Sequence, residues 1–139
     1  MSQSSGKLET ILVVDDTPAI LALVVAILQI ADFNVLQARN GAEAMSVALN
    51  YDGKIHLLLS DIQMASLSGP ELGENLKKQR PELRVMLMSA MKGGSMLVLN
   101  YGWAYIEKPF VKEKLLQMID LVLHSPDKSQ GSNQYDTRK

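Results

Sequence analysis

Short apolar runs alternate with longer amphipathic stretches along the chain, which predicts strands separated by helices. The predicted strands are the runs at 11–14, 33–38, 56–60, 85–88 and 104–106. The first run, Ile-Leu-Val-Val, is apolar at every position, as expected of a strand buried on both faces. Strands that alternate with helices form a parallel sheet, because each parallel connection needs a crossover. The pattern therefore predicts an α/β fold: a doubly wound, flavodoxin-like, five-stranded parallel sheet with helices on both faces.

The predicted helices follow the strands, and their apolar spacing predicts which face is buried. The first begins at Asp16-Thr17-Pro18, because Asp16 or Thr17 can cap it and proline is tolerated in the first turn. Its predicted buried face is Ile20, Leu23, Val24, Ile27 and Leu28, with Leu21 and Val25 outside it. Further helices are predicted at 42–49, 70–80 and 111–124. Gly93-Gly94 predicts a short, shifted or irregular fourth helix, because each glycine costs about 1 kcal/mol inside a helix.

Length, charge and cysteine content narrow the class of protein. The chain has 139 residues, and we predict one domain over 9–124, a flexible N-terminus at 1–8 and a disordered tail or linker start at 125–139. A net charge of −1 gives no overall preference for nucleic acid or an anionic membrane. The absence of cysteine excludes disulfides and thiolate metal sites and fits a cytoplasmic location. The longest apolar stretch, 19–30, is shorter than the roughly 20 residues of a membrane span.

Candidate chemistry lies outside the carboxyl ends of the predicted strands, where sites form in such sheets. The residues expected there are Asp15, Asp16, Asp61, Ser89 and Lys108. Three carboxylates so close together repel one another and favour a divalent cation. Oxygen ligands without His or Cys favour Mg²⁺, and one aspartate would be free to attack phosphorus and form an acyl phosphate. Lys108 and the metal would neutralise the phosphoryl oxygens, and the Ser89 hydroxyl could donate a hydrogen bond to one of them.

Five short motifs near these strand ends carry a family resemblance. They are Ile-Leu-Val-Val-Asp-Asp at 11–16, Leu-Leu-Ser-Asp-Ile-Gln-Met at 58–64, Ser-Gly-Pro-Glu-Leu at 68–72, Met-Ser-Ala at 88–90 and Tyr-Ile-Glu-Lys-Pro-Phe at 105–110. Together they resemble the CheY-like receiver domains of two-component response regulators over about residues 9 to 124. The segment 58–72 is most similar to receivers of hybrid sensor kinases. The resemblance implies a phosphoprotein that takes a phosphoryl group from a histidine kinase or phosphotransfer protein.

The resemblance also implies a separate role for each acidic residue. Asp61 corresponds to the phosphoacceptor and is also a metal ligand. Asp16 corresponds to a direct ligand of Mg²⁺, and Asp15 to its acidic neighbour. The backbone carbonyl of Gln63 corresponds to the third protein ligand.

A second group of residues is implied to bind phosphate and to switch. Ser89 corresponds to the switch hydroxyl, Lys108 to the phosphate-pairing lysine and Tyr105 to the switch aromatic residue. Pro109 corresponds to the proline that follows this lysine through a cis bond, a geometry seen almost only before proline.

The sequence departs from the family pattern in the loop after Asp61 and in the predicted fourth helix. Ala65 stands where proline is usual and Leu67 where methionine is common, which predicts a looser loop. The stretch between Ser89 and Lys108 is a few residues shorter than is typical of the family. This shortening puts the output surface in question more than the phosphorylation site.

Three functions remain open from the sequence. The first is a module that switches partner binding on phosphorylation, through a face of the fourth helix, fifth strand and fifth helix that could also form a homodimer. The second is a receiver-like interaction or dimerisation domain that needs no phosphorylation. The third is a phosphohydrolase, but Ile62 and Gln63 follow Asp61 and leave no general acid there, so we expect no enzyme. Fifteen residues after His124 leave no room for a helix-turn-helix, so we expect no nucleic-acid partner for this chain alone. The short apolar stretch at 19–30 leads us to expect no membrane partner.

Overall fold

The computed structural model describes residues 8–90 and 103–125. Within them, strands and helices alternate in this order: β1 Thr10–Val14, α1 Pro18–Ile30, β2 Asn34–Ala38, α2 Gly41–Asn50, β3 Leu57–Asp61, α3 Gly69–Gln79, β4 Arg84–Ser89, β5 Ala104–Glu107 and α4 Lys112–His124. The helix predicted as the fifth is labelled α4, because the predicted fourth helix lies in 91–102, outside the described residues. The predictions for 1–7 and 126–139 also lie outside them.

The five strands form one parallel sheet with the order β2-β1-β3-β4-β5. The register places Val13 beside Leu59, and Leu59 beside Met86, across the three central strands. Strand order reverses beside β1, because the chain first adds β2 on one side and then β3 on the other. This is the doubly wound arrangement that the sequence predicts, and the fold prediction is confirmed.

Apolar residues of successive strand positions pack on opposite faces of the sheet. Leu12 and Val14 belong to one buried cluster with Leu72 and Leu76 of α3. Ile11 and Val13 belong to a second cluster with residues of α1 and α4. The sheet is therefore covered on both sides, which explains why its central strands are apolar at nearly every position.

The buried face of α1 differs from the predicted one. Leu21 and Val25, predicted to lie outside it, are buried together with Val24 and Leu28. Leu23, predicted to be buried, is 52% exposed, and Ile20 and Ile27 are only partly buried. The prediction was wrong because α1 is apolar nearly all round, so spacing does not single out one stripe.

A capping box closes the start of α3. Ser68 caps the helix by accepting a hydrogen bond from the Glu71 N–H, and Glu71 accepts one from the Ser68 N–H. This reciprocal capping box satisfies two N–H groups at the helix start.

Trp103 lies against Gly73, where a Cβ would be 2.8 Å from the indole Cζ3. A small residue is therefore needed at that turn of α3.

In the described part of the chain, no helix combines the length and apolar character needed to cross a membrane.

Candidate functional site

Three carboxylates meet at the carboxyl edge of the sheet. Asp15 and Asp16 directly follow β1, and Asp61 is the last residue of β3. Because β1 and β3 are adjacent and parallel, their ends bring these residues together. One carboxylate oxygen of each lies within 4.8 Å of the others. The convergence expected from the sequence is therefore present for all three aspartates.

Lys108, the residue that follows β5, joins this acidic cluster. Its Nζ lies 3.0 Å from Asp15 Oδ2 and 3.5 Å from Asp61 Oδ1. The Asp15 side chain is completely buried, and that of Lys108 is 16% exposed. A buried carboxylate needs such a partner, because an unpaired charge in the interior is costly. The ammonium group thus stands between the deepest carboxylate and the predicted phosphoacceptor.

Asp15 also organises the start of α1. Its Oδ1 accepts a hydrogen bond of 2.9 Å from the Thr17 N–H. Thr17 is the N-cap residue, but its side chain makes no capping hydrogen bond, and the exposed Asp16 makes none in that role. Thr17 therefore takes the predicted N-cap position, but the predicted side-chain cap by Asp16 or Thr17 is not formed, and Asp15 instead holds the N–H of the N-cap residue. Asp16 is left directed to solvent, where a metal ion could reach it.

Burial raises the pKa of the Asp61 carboxyl, because removal from water disfavours its ionised form. The charges of Asp15 and Asp16 raise the pKa further, and the Lys108 ammonium opposes them. The net direction is upward, mainly because of burial. Three carboxylates face one ammonium group here, so the cluster formally carries more negative than positive charge. A bound cation would relieve this excess.

The donor set fits a hard divalent cation. Its members are carboxylate oxygens, and no His or Cys takes part. Mg²⁺ prefers oxygen ligands, binds one or two carboxylates and retains several waters. Asp15 lies at the buried floor and Asp16 at the exposed rim, so an ion between them would remain open to water.

The other predicted site residues lie on the same edge, at different depths. Ser89 is the last residue of β4, is buried, and its carbonyl accepts a 2.7 Å hydrogen bond from the Lys108 N–H. Gln63 is exposed two residues after Asp61. Tyr105 of β5 is partly buried and packs on the cluster beneath α3. Their proposed roles in metal binding and switching remain predictions.

The peptide bond between Lys108 and Pro109 is cis, as the family resemblance implies.

Sequence reasoning missed two neighbours of Asp61. The Ser60 hydroxyl donates a 2.9 Å hydrogen bond to the Asp61 carbonyl oxygen. Gly69 lies so close to that oxygen that a Cβ on residue 69 would overlap with it. The motif 68–72 contained this glycine, but a contact between two backbone segments leaves no mark in hydrophobic spacing.

The loop after Asp61 holds the residues that depart from the family pattern. Leu67 packs on Gly41, where a Cβ would be 2.6 Å from its Cδ2, so this leucine fills space at the start of α2. Ala65 is exposed. The Gly69 N–H donates a 2.8 Å hydrogen bond to the Ile62 carbonyl, which closes the loop on itself.

Comparison with known proteins identifies the family that the sequence motifs resemble. Residues 11–120 match the model of the response regulator receiver domain. The sensor kinase CckA of Brucella abortus is 26% identical over 121 residues, and the match covers 85% of this chain and 13% of that protein. The transcriptional regulatory protein GlrR of Escherichia coli is 31% identical over 119 residues, covering 84% of this chain and 26% of that protein. The chain thus spans a minor part of these curated relatives.

A solved structure gives the same result. The response regulator TrrA of Thermotoga maritima, in complex with Mg²⁺ and BeF, is 28% identical with a TM-score of 0.71. The match covers 84% of this chain and all of that one. The resemblance inferred from the sequence is confirmed by the family match, by the sheet order and by these relatives. The chain belongs to the response regulator receiver domain family of two-component signalling proteins.

Proposed function

We propose that this domain accepts a phosphoryl group on Asp61 and uses the modification to change its affinity for a partner. The observation that carries the proposal is the meeting of three carboxylates and one ammonium group at a single sheet edge. This combination of charges suits a phosphoryl group, whose oxygens are negatively charged. The raised pKa of Asp61 adds support, because perturbed carboxyls in clefts concentrate at functional sites.

The reaction needs one nucleophilic oxygen and neutralisation of charge. A carboxylate oxygen of Asp61 forms the new bond to phosphorus, while the bond from phosphorus to the donor breaks and its electron pair leaves with the donor. Lys108, 3.5 Å from Asp61 Oδ1, is placed to pair with the phosphoryl oxygens. Asp15 orients the Lys108 ammonium group through its 3.0 Å contact. Positioning and charge account for most of such catalysis.

Mg²⁺ is the proposed cofactor, held by Asp15, Asp16, Asp61 and the backbone carbonyl of Gln63. When bound, it would supply positive charge that favours the ionised form of Asp61 and draws phosphoryl oxygens to the site. The complex of the relative TrrA with Mg²⁺ and BeF supports this choice.

The proposed switch uses Ser89 and Tyr105. Ser89 sits beside the reaction centre at the end of β4, and Tyr105 lies on the neighbouring strand β5. A phosphoryl group that accepts a hydrogen bond from Ser89 would favour one arrangement of these two side chains over another. The affinity of the surface around β5 for a partner or a second copy would then change with phosphorylation.

The proposed phosphoryl donor is a histidine kinase or phosphotransfer protein in the cytoplasm. The relatives support this pairing, because one is a sensor kinase and another is a transcriptional regulator. The proposal gives the domain no turnover of its own beyond transfer to Asp61. It also assigns no nucleic acid and no membrane partner to the residues of this chain.

Intact-protein mass spectrometry tests the proposal. The protein is incubated with Mg²⁺ and acetyl phosphate or phosphoramidate, in parallel with the variants Asp61→Asn and Asp52→Asn. Asp52 is exposed and lies two residues after the end of α2. We expect one added phosphoryl group on the wild type and on Asp52→Asn, and none on Asp61→Asn. Chelation of Mg²⁺ should abolish the addition.

Two results would contradict the proposal. Equal phosphorylation of Asp61→Asn would move the acceptor elsewhere. Absence of labelling on every variant, with unchanged spectra and oligomeric state, would favour the interaction domain that works without phosphorylation.

A further inference from the structure

The carbonyl group of Asp61 has two close neighbours that the proposed chemistry leaves unused. The Ser60 side chain is fully buried, and its hydroxyl donates a 2.9 Å hydrogen bond to the carbonyl oxygen. The same hydroxyl lies 4.0 Å from the sulfur of Met64, in the following loop. Ser60 therefore ties the backbone of Asp61 to the segment that leaves it.

Gly69 constrains the same oxygen by steric contact. It is the first residue of α3, and a Cβ there would overlap with the Asp61 carbonyl oxygen and lie 3.1 Å from the Ile62 Cα. The Gly69 N–H also donates to the Ile62 carbonyl, and the Ile62 N–H donates to the Met88 carbonyl of β4 at 3.0 Å. The loop between β3 and α3 thus returns to the point at which it left Asp61.

We propose that Ser60 and Gly69 are positioning residues, which fix the carbonyl group of Asp61 and so the direction in which its carboxylate leaves β3. The inference rests on the proposed function, since it assigns these two residues to the reaction at Asp61. Side-chain rotamers depend on backbone dihedrals, so a rotated Asp61 carbonyl redirects the carboxylate. The same rotation would displace Gln63, whose carbonyl is a proposed metal ligand.

The crowding at Gly69 sets the size of the effect. A methyl group at residue 69 can be accommodated only if the Asp61 backbone or the start of α3 moves. A displacement of about 1 Å at a reacting group can cost on the order of 100-fold in rate. Loss of the Ser60 hydroxyl adds no volume and removes one hydrogen bond, so its effect should be smaller, about tenfold.

The experiment compares Gly69→Ala and Ser60→Ala with the control Gly73→Ala. Gly73 lies one turn later in α3 and is also crowded, but its neighbour is the side chain of Trp103. The first measurement is the phosphorylation rate per folded molecule at saturating phosphoramidate and Mg²⁺. We expect losses of about 100-fold for Gly69→Ala and about tenfold for Ser60→Ala, and a wild-type rate for Gly73→Ala.

The second measurement is the carbonyl ¹³C chemical shift of Asp61 by NMR, recorded without Mg²⁺ or donor. It should move in Gly69→Ala and Ser60→Ala and stay in place in Gly73→Ala. This readout is independent of phosphoryl transfer, so a moved resonance together with an unlabelled wild type would uphold the positioning and refute the proposed function.

Three results would overturn the inference. They are wild-type rates in both variants, an unmoved Asp61 carbonyl resonance in both, and a Gly73→Ala loss as large as that of Gly69→Ala. Should Gly69→Ala fail to fold, Ser60→Ala decides, because removal of a hydroxyl adds no volume that the fold would have to accommodate.

Discussion

The ionised carboxylate of Asp61 lowers the stability of the folded protein. Burial and two neighbouring carboxylates raise its pKa, which means that the folded state holds the ionised form less well than the unfolded chain does. Lys108 offsets only part of this cost. Sites that bind and react with charged groups commonly trade stability for function in this way.

Replacement of Asp61 by asparagine should therefore stabilise the protein at neutral pH without Mg²⁺, by about 1 kcal/mol. The folded-state pKa lies above the unfolded value of about 3.9, so the penalty is complete above the folded pKa and vanishes below the unfolded one. The gain should accordingly disappear as the pH falls to about 3.5. Urea denaturation at several pH values measures it.

Mg²⁺ provides the control for this prediction. Binding to the folded state stabilises the wild type by mass action, whereas Asp61→Asn has lost a proposed ligand and should gain less. The difference in the free energy of unfolding between the two proteins should then become smaller or change sign. An Asp61→Asn variant that is less stable than the wild type without Mg²⁺ would show that the pair with Lys108 outweighs the repulsion.

The placement of charged site residues was predictable from the sequence, and the contacts beneath them were not. Asp16, Asp61 and Lys108 follow apolar runs, and parallel strand ends share one edge. The approach of Gly69 to the Asp61 carbonyl depends on the path of a loop. Apolar periodicity carries no information about such a path, so this part of the site required the structure.

Helix α1 shows how the apolar pattern that predicts an element can fail to orient it. Gln29 is its only polar side chain, so a buried stripe and its opposite face look alike in the sequence. Packing on β1 and β2 then selects Leu21 and Val25 and leaves Leu23 exposed. The buried positions of the central strands were easier to predict, because both faces of those strands are buried.

Helix α3 depends on a cap that can be tested by one substitution. Ser68→Ala removes the hydroxyl that accepts from the Glu71 N–H and leaves the reciprocal contact incomplete. We expect a loss of about 1 kcal/mol in the free energy of unfolding, the usual cost of losing an N-cap side chain. Chemical denaturation followed by circular dichroism measures it.

Ser46→Ala is the matched control. Ser46 lies exposed within α2, where alanine has the higher helix propensity, so the same replacement should be neutral or slightly stabilising. Equal losses in the two variants would mean that the capping box contributes nothing measurable to α3.

At the level of the whole molecule, the sheet order and the two-sided core followed from alternation of strands and helices, because right-handed crossovers leave few topologies. The contacts that join distant parts of the chain were less predictable. His124 at the end of α4 pairs with Asp120 at 2.7 Å and with Glu9, just before β1, at 2.9 Å. The sequence offered no indication that residues 115 positions apart would meet.

His124 should make stability depend on pH. Hydrogen bonds to Asp120 and Glu9 raise its pKa above the unfolded value of about 6.5. Its contribution is therefore complete below that value and is lost as the pH rises through the folded pKa. His124→Gln should destabilise the protein at pH 6 and have little effect at pH 9. The loss should stay below about 1 kcal/mol, because the side chain is half exposed.

His56 gives a control of opposite sign. Burial lowers its pKa, and its Nδ1 accepts a 2.9 Å hydrogen bond from the Thr10 N–H, which requires the neutral ring. Its contribution is present above the unfolded pKa and is lost as the pH falls, so His56→Gln should destabilise more at pH 9 than at pH 5. Urea denaturation of both variants across this range distinguishes the two histidines, and parallel pH profiles would contradict both assignments.

The pairing of His124 with Glu9 has a consequence for how such a domain can be shared among proteins. The chain enters β1 and leaves α4 at one place, on the side of the sheet away from the acidic residues. A domain whose two ends adjoin can be inserted into another chain, appended to it or circularly permuted without tearing its sheet. Such rearrangements would change the chain at one edge of the sheet and leave the acidic cluster at the opposite edge unchanged.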